Sequence, residues 1–288
     1  MESSLQLARH SGVERFIGTD TIRSTETRQQ CTMELLLNIL YEGQEGRGYF
    51  VTGTGLHKAF DNIIKGMPYD VAEEMMIDWM WTELDMFETA GLGMMWTKAR
   101  PYETWERDSI ELLNRWYHNV HPDGAFRQQE FNLLGWPPKS EVWLDVETPD
   151  FHLRTQVDAI FNEEFIVDWK TGANKGADDR QLHVYMWAAK QLGLVNPAKG
   201  MPAAFFYVDH QEFVPTKMPY PGDEAIYEFI AEAERRKKLG KYFVEPSWKC
   251  KWCQVTEVCP AWADNESLPW PELMELAKKI EWTGVNDE

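Results

Sequence analysis

The sequence predicts an α/β protein with a helical subdomain on its amino-terminal side. Three observations support this fold class. Residues 24–120 carry apolar side chains at helical spacing, residues 121–220 carry short runs rich in Val, Phe, Ile and Trp between turns, and residues 221–288 open with a further helical pattern. Helices followed by a mixed sheet with a crossover helix indicate one unit, 1–288, built from these three parts.

Helices are predicted where apolar residues recur every three or four positions. Residues 25–41 begin with Thr and Ser positions that can cap a helix and contain the run LLLNIL. Residues 54–65 read as a helix entered through a glycine-rich turn. Between 70 and 120, a stripe at spacings of three and four indicates a side that faces the core: Met76, Met80, Leu84 and Phe87. Two more helices are predicted over 178–193 and 222–239.

Strands are predicted in the second part of the chain. Five segments are rich in β-branched and aromatic residues and are separated by turns: 126–134, 141–146, 151–161, 165–170 and 204–214. The helix at 178–193 interrupts this series, which is why a mixed sheet with a crossover is expected.

The composition of the chain gives expectations about its location in the cell, its cysteine chemistry and its charged partners. The chain shows neither a signal peptide nor an apolar run approaching the about 18 residues of a membrane helix, so we expect a cytoplasmic protein. Thiols stay reduced there, and four cysteines therefore suggest metal or redox chemistry before disulfides. The net charge of −18 argues against a polyanionic partner on average. Residues 232–251 nevertheless hold seven basic against three acidic residues, so a local basic face remains open.

The segment RTQVDAIFNEEFIVDWKTG, residues 154–172, is the most informative stretch. If Asn162, Glu163 and Glu164 form a three-residue turn, antiparallel pairing sets Asp158 opposite Asp168. Side chains alternate along a strand, so Asp168 and Lys170 emerge on one face, while Val157, Ala159, Val167 and Trp169 point into packing.

Two carboxylates and an ammonium on one patch predict a metal-assisted site. The carboxylates repel unless a cation lies between them, and their hard oxygen atoms suit Mg²⁺ or Mn²⁺. The ion would acidify water and offset charge on a phosphate, and Lys170 would orient or deprotonate that water. A solvated hairpin with an incidental ion pair is the alternative.

Further residues fall in a consistent order along the chain. Gln181 and Tyr185 lie four apart on one side of the predicted helix 178–193 and could grip a backbone or a phosphate. His57 lies upstream in GTGLHKAF. A single histidine is more often structural than a ligand, but the order His, Asp, Asp-x-Lys, Gln-x-x-x-Tyr favours a shared site.

These motifs, together with the cysteine pattern described below, resemble the RecB-like nucleases of the PD-(D/E)xK superfamily. The chain is most similar to the branch with an iron–sulfur cluster, which includes the CRISPR adaptation nuclease family and the nuclease lobe of AddB. The resemblance spans residues 24–260 and implies a restriction-endonuclease-like mixed sheet core, an amino-terminal helical subdomain, and a cysteine-cluster lobe formed by both chain ends.

The resemblance also implies roles for individual residues. Metal ligands would be His57, Asp158, Asp168 and the carbonyl of Trp169, with Asp158, Asp168 and Lys170 catalytic and Gln181 and Tyr185 binding substrate. An acid on the strand before the first aspartate sometimes assists in the family, and Glu130 is the candidate. The chain departs from the family pattern in two places, where Gln156 replaces a small residue and Thr32 replaces a proline.

The four cysteines match the cluster-binding pattern of that branch. Cys250, Cys253 and Cys259 follow C-x₂-C-x₅-C with a proline after the last, and Cys31 supplies the distant fourth ligand. A 4Fe–4S cluster is favoured over structural zinc, because zinc ribbons more often use two C-x-x-C pairs. Such a cluster would tie both ends of the chain together and restrict the unfolded state.

The predicted function is a Mg²⁺- or Mn²⁺-dependent DNA exonuclease that hydrolyses phosphodiester bonds of single strands or duplex ends. Trp248 and Trp252 could stack on bases or pack around the cluster. Two alternatives stay open: a structure-specific endonuclease on the same core, and a DNA-end-binding recombination protein with a vestigial site. No phosphate-binding G-x-x-x-x-G-K-[ST] motif appears, so no motor is expected. Homo-oligomers and recombination or adaptation partners are compatible with the sequence.

Overall fold

The computed structural model describes residues 46–89, 94–96, 98, 100–173, 175–195 and 202–238, together with two-residue strands at Gln6–Leu7, Thr21–Ile22 and Tyr41–Glu42. The chain divides into two units. The core unit comprises Gly46–Val146 and Thr155–Pro221, and the terminal unit comprises Met1–Glu45, Glu147–Arg154 and Gly222–Glu288. Every candidate site residue that the structure describes belongs to the core unit. The organisation into one unit that the sequence suggests stays a prediction.

Helix α1 spans Gly48–Ile64 and begins six residues before the predicted start. Gly53 and Gly55 were interpreted as part of an entry turn, but they lie inside the helix. Glycine is a poor helix former, so a packing reason is needed. A Cβ atom at Gly55 would clash with the side chain of Met80, so glycine lets α1 approach its neighbour closely.

Two further helices complete the helical part of the core unit. Helix α2 spans Tyr69–Thr89 and helix α3 spans Trp105–Val120, preceded by a short 3₁₀ turn at Tyr102–Thr104. The predicted stripe on α2 is confirmed: three residues are buried and Phe87 is partly buried against the same core. The buried three are Met76, Met80 and Leu84.

The prediction of a strand over 126–134 is wrong. It contains helix α4, Gln129–Leu134. Phe131 is fully buried, whereas Leu133 is 76% exposed, so the two do not share the face that a strand would give residues two apart. Gly135 ends the helix with a φ of 83°, a backbone conformation that glycine adopts easily. Helices commonly end at a glycine in such a conformation.

A six-stranded mixed sheet supplies most of the rest of the core unit. Five of its strands are β1 Lys139–Glu147, β2 His152–Phe161, β3 Phe165–Lys170, β4 Ala203–Tyr207 and β5 Glu212–Pro215. The sixth is the two-residue strand Thr21–Ile22, which pairs in parallel with the start of β2. The sheet order is β5-β4-β3-β2, and β1 also pairs with β2. Strands β3 and β4 are parallel, whereas β2–β3 and β4–β5 are antiparallel. The strand predicted over 204–214 is thus two strands and a turn.

The parallel pair β3–β4 needs a crossover, which helix α5, Asp179–Gln191, provides. Asp178 caps α5, because its carboxylate accepts the N–H of Arg180 at 3.0 Å. Helix α6, Asp223–Lys238, belongs to the terminal unit. Among the residues described, no helix is both long enough and apolar enough to cross a bilayer. The helix predicted over 25–41 lies outside the described residues except for Tyr41, which is in a two-residue strand.

An aromatic cluster joins the helices to the sheet. The rings of Phe60 from α1 and Trp116 from α3 stack at 4.4 Å between centroids. Trp116 meets Trp169 from β3 edge-on at 5.8 Å, and Phe131 from α4 lies 5.9 Å from the same indole. All four side chains are at most 2% exposed. Because Trp169 stands between Asp168 and Lys170, this packing fixes the strand that bears the predicted site.

Candidate metal centre

The hairpin with both aspartates has the predicted register. Phe161 pairs with Phe165 across the turn, as the sequence indicates, and this part of the prediction is confirmed. The same antiparallel register, continued along the strands, sets Asp158 opposite Asp168. Near this point the amide N–H of Trp169 donates to Oδ2 of Asp158 at 2.6 Å. The first acid is therefore anchored to the main chain next to the second.

The alternation of side chains along the hairpin is also as predicted. Four residues point into the interior and are at most 2% exposed: Val157, Ala159, Val167 and Trp169. The apolar side of the hairpin thus holds the strands in place, and the polar residues of both strands share the opposite side.

Three residues bring ligand atoms together. Nδ1 of His57, on α1, lies 3.3 Å from Oδ1 of Asp158 and 3.8 Å from Oε1 of Glu141. One ligand atom of each residue lies within 4.8 Å of the other two. One imidazole and two carboxylates are a donor set that suits Mn²⁺ or Mg²⁺. His57 and Asp158 meet as predicted, whereas Glu141 was missed in the sequence.

The main chain at Glu141 departs from regular strand geometry. Its φ of 49° lies in the left-handed region, which costs a residue with a side chain roughly 1–2 kcal/mol. Two contacts hold this conformation. Ser140 Oγ donates to Oδ1 of Asp61 at 2.5 Å, and Gln156 Nε2 donates to the carbonyl of Glu141 at 3.2 Å. Strained residues of this kind concentrate at functional sites.

The acid expected on the strand before Asp158 was assigned to the wrong residue. Glu130 is exposed and lies in the first turn of α4, not on a strand. Glu141 is on β1, the strand that directly precedes β2. The sequence contained this signal, because the strand predicted over 141–146 starts with Glu141.

Asp168 lies outside the three-residue cluster and beside Lys170. Its carboxylate is 2% exposed, and Nζ of Lys170 is 2.5 Å from Oδ2. Oδ2 accepts no hydrogen bond from the residues described, and the Lys170 ammonium meets it as an ion pair only. Buried carboxylate oxygens are normally satisfied. An oxygen in this state next to a cluster of acids fits a site that receives a cation.

A buried chain of polar groups continues from Lys170 into α5. Nζ of Lys170 donates to Oε1 of Gln181 at 3.1 Å, and Nε2 of Gln181 donates to the hydroxyl of Tyr185 at 2.7 Å. Gln181 and Tyr185 are each 5% exposed. The two residues share one side of α5, as their spacing predicts. Their polar atoms face the lysine and each other, and the direct grip on a nucleic acid stays a prediction.

The electrostatics of the cluster follow from its charges. Burial alone would lower the pKa of His57, but the Asp158 and Glu141 carboxylates outweigh burial and raise this pKa to about 10. Burial, with Asp158 nearby, raises the pKa of Asp168 to about 6 although Lys170 acts in the opposite direction. Burial likewise raises the pKa of Glu141. A proton on His57 therefore neutralises part of the acidic cluster when no metal ion is bound.

The sequence profile of the PD-(D/E)XK nuclease superfamily matches residues 24–260. The chain belongs to this superfamily. Its mixed sheet flanked by helices is consistent with a restriction-endonuclease-like core. PD-(D/E)XK nucleases use divalent metal ions, and the His57, Glu141 and Asp158 cluster is a candidate site for one. Membership implies a nuclease with DNA as its substrate.

Comparison with solved structures gives distant matches to this PD-(D/E)XK nuclease. A protein of Eubacterium rectale, provisionally named an exonuclease, shares 15% identity with a TM-score of 0.48, over 97% of this chain and 99% of that one. A protein named SSO0001 shares 16% identity with a TM-score of 0.35, over 56% of this chain and 72% of that one. No curated protein matches the sequence.

Several predicted site residues cannot be placed in this nuclease. Six lie outside the described residues: Cys31, Cys250, Cys253, Cys259, Trp248 and Trp252. The ligand set for an iron–sulfur cluster therefore stays a prediction from the sequence.

Proposed function

We propose that this nuclease is a Mg²⁺- or Mn²⁺-dependent deoxyribonuclease that hydrolyses phosphodiester bonds, acting as an exonuclease on single strands or duplex ends. One observation carries the proposal. Ligand atoms of His57, Glu141 and Asp158 converge within 4.8 Å beside the Asp168–Lys170 ion pair. The preference for ends rests on the resemblance to the RecB-like branch.

The metal ion would be held by His57, Glu141 and Asp158, with Asp168 and the carbonyl of Trp169 as further ligands. The donor chemistry supports this assignment, because Asp168 offers a buried oxygen that accepts no hydrogen bond from the described residues. The N–H of Trp169 is directed at Asp158, and the N–H and C=O of a strand residue project to the same edge. When bound, the ion acidifies water and offsets the negative charge that develops on the phosphate.

Lys170 acts on the attacking water in this proposal. Its ammonium is held by Asp168 on one side and by Gln181 on the other. From this position the ammonium orients the water, and its charge stabilises the phosphorane-like transition state. Only the neutral amine of Lys170 could take the proton of the water, and it would then hold that proton as the charged ammonium. Gln181 and Tyr185 are then positioning residues, because their hydrogen bonds fix the lysine and its neighbour.

Digestion of labelled oligonucleotides tests the proposal. The wild type is expected to degrade DNA with Mg²⁺ or Mn²⁺ and to stop when the metal is chelated. Asp168→Ala and Lys170→Ala are expected to abolish cleavage while circular dichroism keeps the wild-type shape. Lys217→Ala, which removes an exposed lysine of the core unit, is the matched control and should retain activity. Undiminished cleavage by either site variant refutes the assignment.

Linear and circular substrates distinguish an exonuclease from an endonuclease. Strands labelled at the 5′ or the 3′ end give the polarity, and a circular single strand gives the requirement for an end. An exonuclease leaves the circle intact. Cleavage of the circle at a rate similar to that of the linear strand replaces the exonuclease proposal with an endonuclease on the same core.

The proposed 4Fe–4S cluster on Cys31, Cys250, Cys253 and Cys259 needs a separate test, because these residues lie outside the described part of the chain. Anaerobic purification is expected to give a brown protein with broad visible absorption. A colourless protein with one equivalent of zinc would assign the four thiolates to a structural zinc site instead.

A further inference from the structure

A tryptophan is exposed on the strand that carries Glu141. Residues of β1 alternate between solvent and interior, since Leu144 and Val146 are buried whereas Trp143 keeps 55% of its surface exposed. Tryptophan is highly buried on average, and exposure of so large an aromatic surface forgoes the stabilisation that burial would give. The position of this residue is therefore informative.

Trp143 shares a strand with Glu141 of the metal centre. It lies two residues beyond Glu141, a distance of about 6.5 Å along a strand. The turn between β1 and β2, closed by the hydrogen bond from Thr148 N to the carbonyl of Phe151, makes the two strands a hairpin. That register sets Trp143 opposite Gln156, which shares the polar side of β2 with Asp158.

The negative charge of the protein makes a contact with DNA that does not depend on charge valuable. A chain of net charge −18 with an acidic site repels phosphates over long range. Affinity for DNA then needs a contribution that does not depend on charge. Stacking of bases on aromatic rings supplies one, tolerates any base sequence, and requires an unpaired base face. Inside a duplex, both faces of each base are covered by its neighbours.

We propose that Trp143 is a stacking platform for an unpaired base next to the phosphate that is to be cleaved. This inference rests on the proposed nuclease function and names its substrate class: single-stranded or frayed DNA ends. The base adjacent to the scissile phosphate lies against the indole while the phosphate reaches the cluster of His57, Glu141 and Asp158. A paired base has no free face to offer and gains nothing from the contact.

Binding can be measured apart from cleavage by fluorescence anisotropy of a labelled single strand, with Mn²⁺ and on a Lys170→Met background. Trp143→Ala is expected to raise Kd by about 5- to 150-fold. Trp143→Phe should recover most of the loss. Trp81→Ala is the matched control, because Trp81 is 43% exposed on α2, and it should leave Kd unchanged.

A strand whose bases are removed near the scissile position completes the test as a double-mutant cycle. If Trp143 stacks on a base, deleting the ring and deleting the base are not additive, so Trp143→Ala binds the abasic strand as well as the parent does. Equal Kd values for Trp143→Ala and its parent, or an equal loss on intact and abasic strands, would overturn the inference. If this coupling is found but the protein with Lys170 intact does not cleave DNA, the nuclease proposal is refuted and the stacking proposal is not.

Discussion

Without metal, the stability of the core unit should fall as the pH rises from about 6.5 to 10. In that state the proton on His57 lies between the carboxylates of Asp158 and Glu141 and relieves their repulsion. Raising the pH in the presence of a chelator removes this proton. This change of pH needs no substitution, and it removes the charge of His57, the one cationic side chain of the cluster with Glu141 and Asp158.

The magnitude follows from the pKa of His57, which the two acids raise from 6.5 to about 10. Below pH 6.5 the imidazole is protonated in the folded and the unfolded protein, and its stabilisation is fully present. Between pH 6.5 and 10 only the folded protein holds the proton, so stability decreases as pH rises. The full effect is at most about 5 kcal/mol. The side chain is 26% exposed, so solvent screening leaves a loss of roughly 2 kcal/mol.

Thermal melts in chelator at pH 6.5, 8 and 9.5 measure this loss. A loss of roughly 2 kcal/mol lowers Tm by about 4 °C or more for a chain of this size. His57→Gln should have a lower Tm at pH 6.5 and a flatter profile, so the difference between the two curves isolates this group from other titrations. Saturating Mn²⁺ should flatten the wild-type profile, because the ion replaces the proton. Parallel curves for wild type and His57→Gln across this range would refute the reasoning.

Three further predictions follow from contacts around the site. Ser140→Ala removes the hydrogen bond to Asp61 that steadies the chain at Glu141; we expect a loss of about 1 kcal/mol in stability and severalfold weaker Mn²⁺ binding by calorimetry. A wild-type Mn²⁺ affinity in Ser140→Ala would mean that Glu141 is held by other contacts. Gln181→Leu takes the acceptor from Lys170, so kcat should fall about 10- to 100-fold with KM little changed, as steady-state kinetics on a labelled strand would show. A rise in KM alone would instead point to the direct grip on the strand. Trp116→Ala opens a cavity in the aromatic cluster and should destabilise the protein by about 3–5 kcal/mol in urea unfolding, whereas Phe126→Ala, at a residue that is 73% exposed, should change stability little.

The central hairpin could be predicted from the sequence because local rules determine it. Alternating apolar residues on both sides of a three-residue turn fix the register, and the register alone puts the two aspartates together. Strand β3 was predicted with its observed ends, 165–170, for the same reason. The polar residues of this hairpin therefore needed no knowledge of distant contacts.

The remaining features depend on contacts between segments that are distant in sequence. Gly55 near the start of α1 looked like part of a turn, because what requires a glycine there is the side chain of Met80, about 25 positions away. Glu141 opens a predicted strand, but its approach to His57 depends on how α1 packs against β1, two elements far apart in sequence. The burial of Gln181 depends on how α5 packs against the sheet. Each was hidden by tertiary packing, not by a weak local pattern.

The placement of Trp169 limits how this enzyme could be re-engineered. Its indole is part of the aromatic cluster, while its backbone amide holds the carboxylate of Asp158. A substitution chosen only to improve heat resistance by refilling the interior would move that amide, and with it the chemistry. Interior substitutions selected for heat resistance should therefore lower catalytic turnover, even at positions that never touch DNA. Variants that improve both heat resistance and turnover should carry their substitutions outside this aromatic cluster.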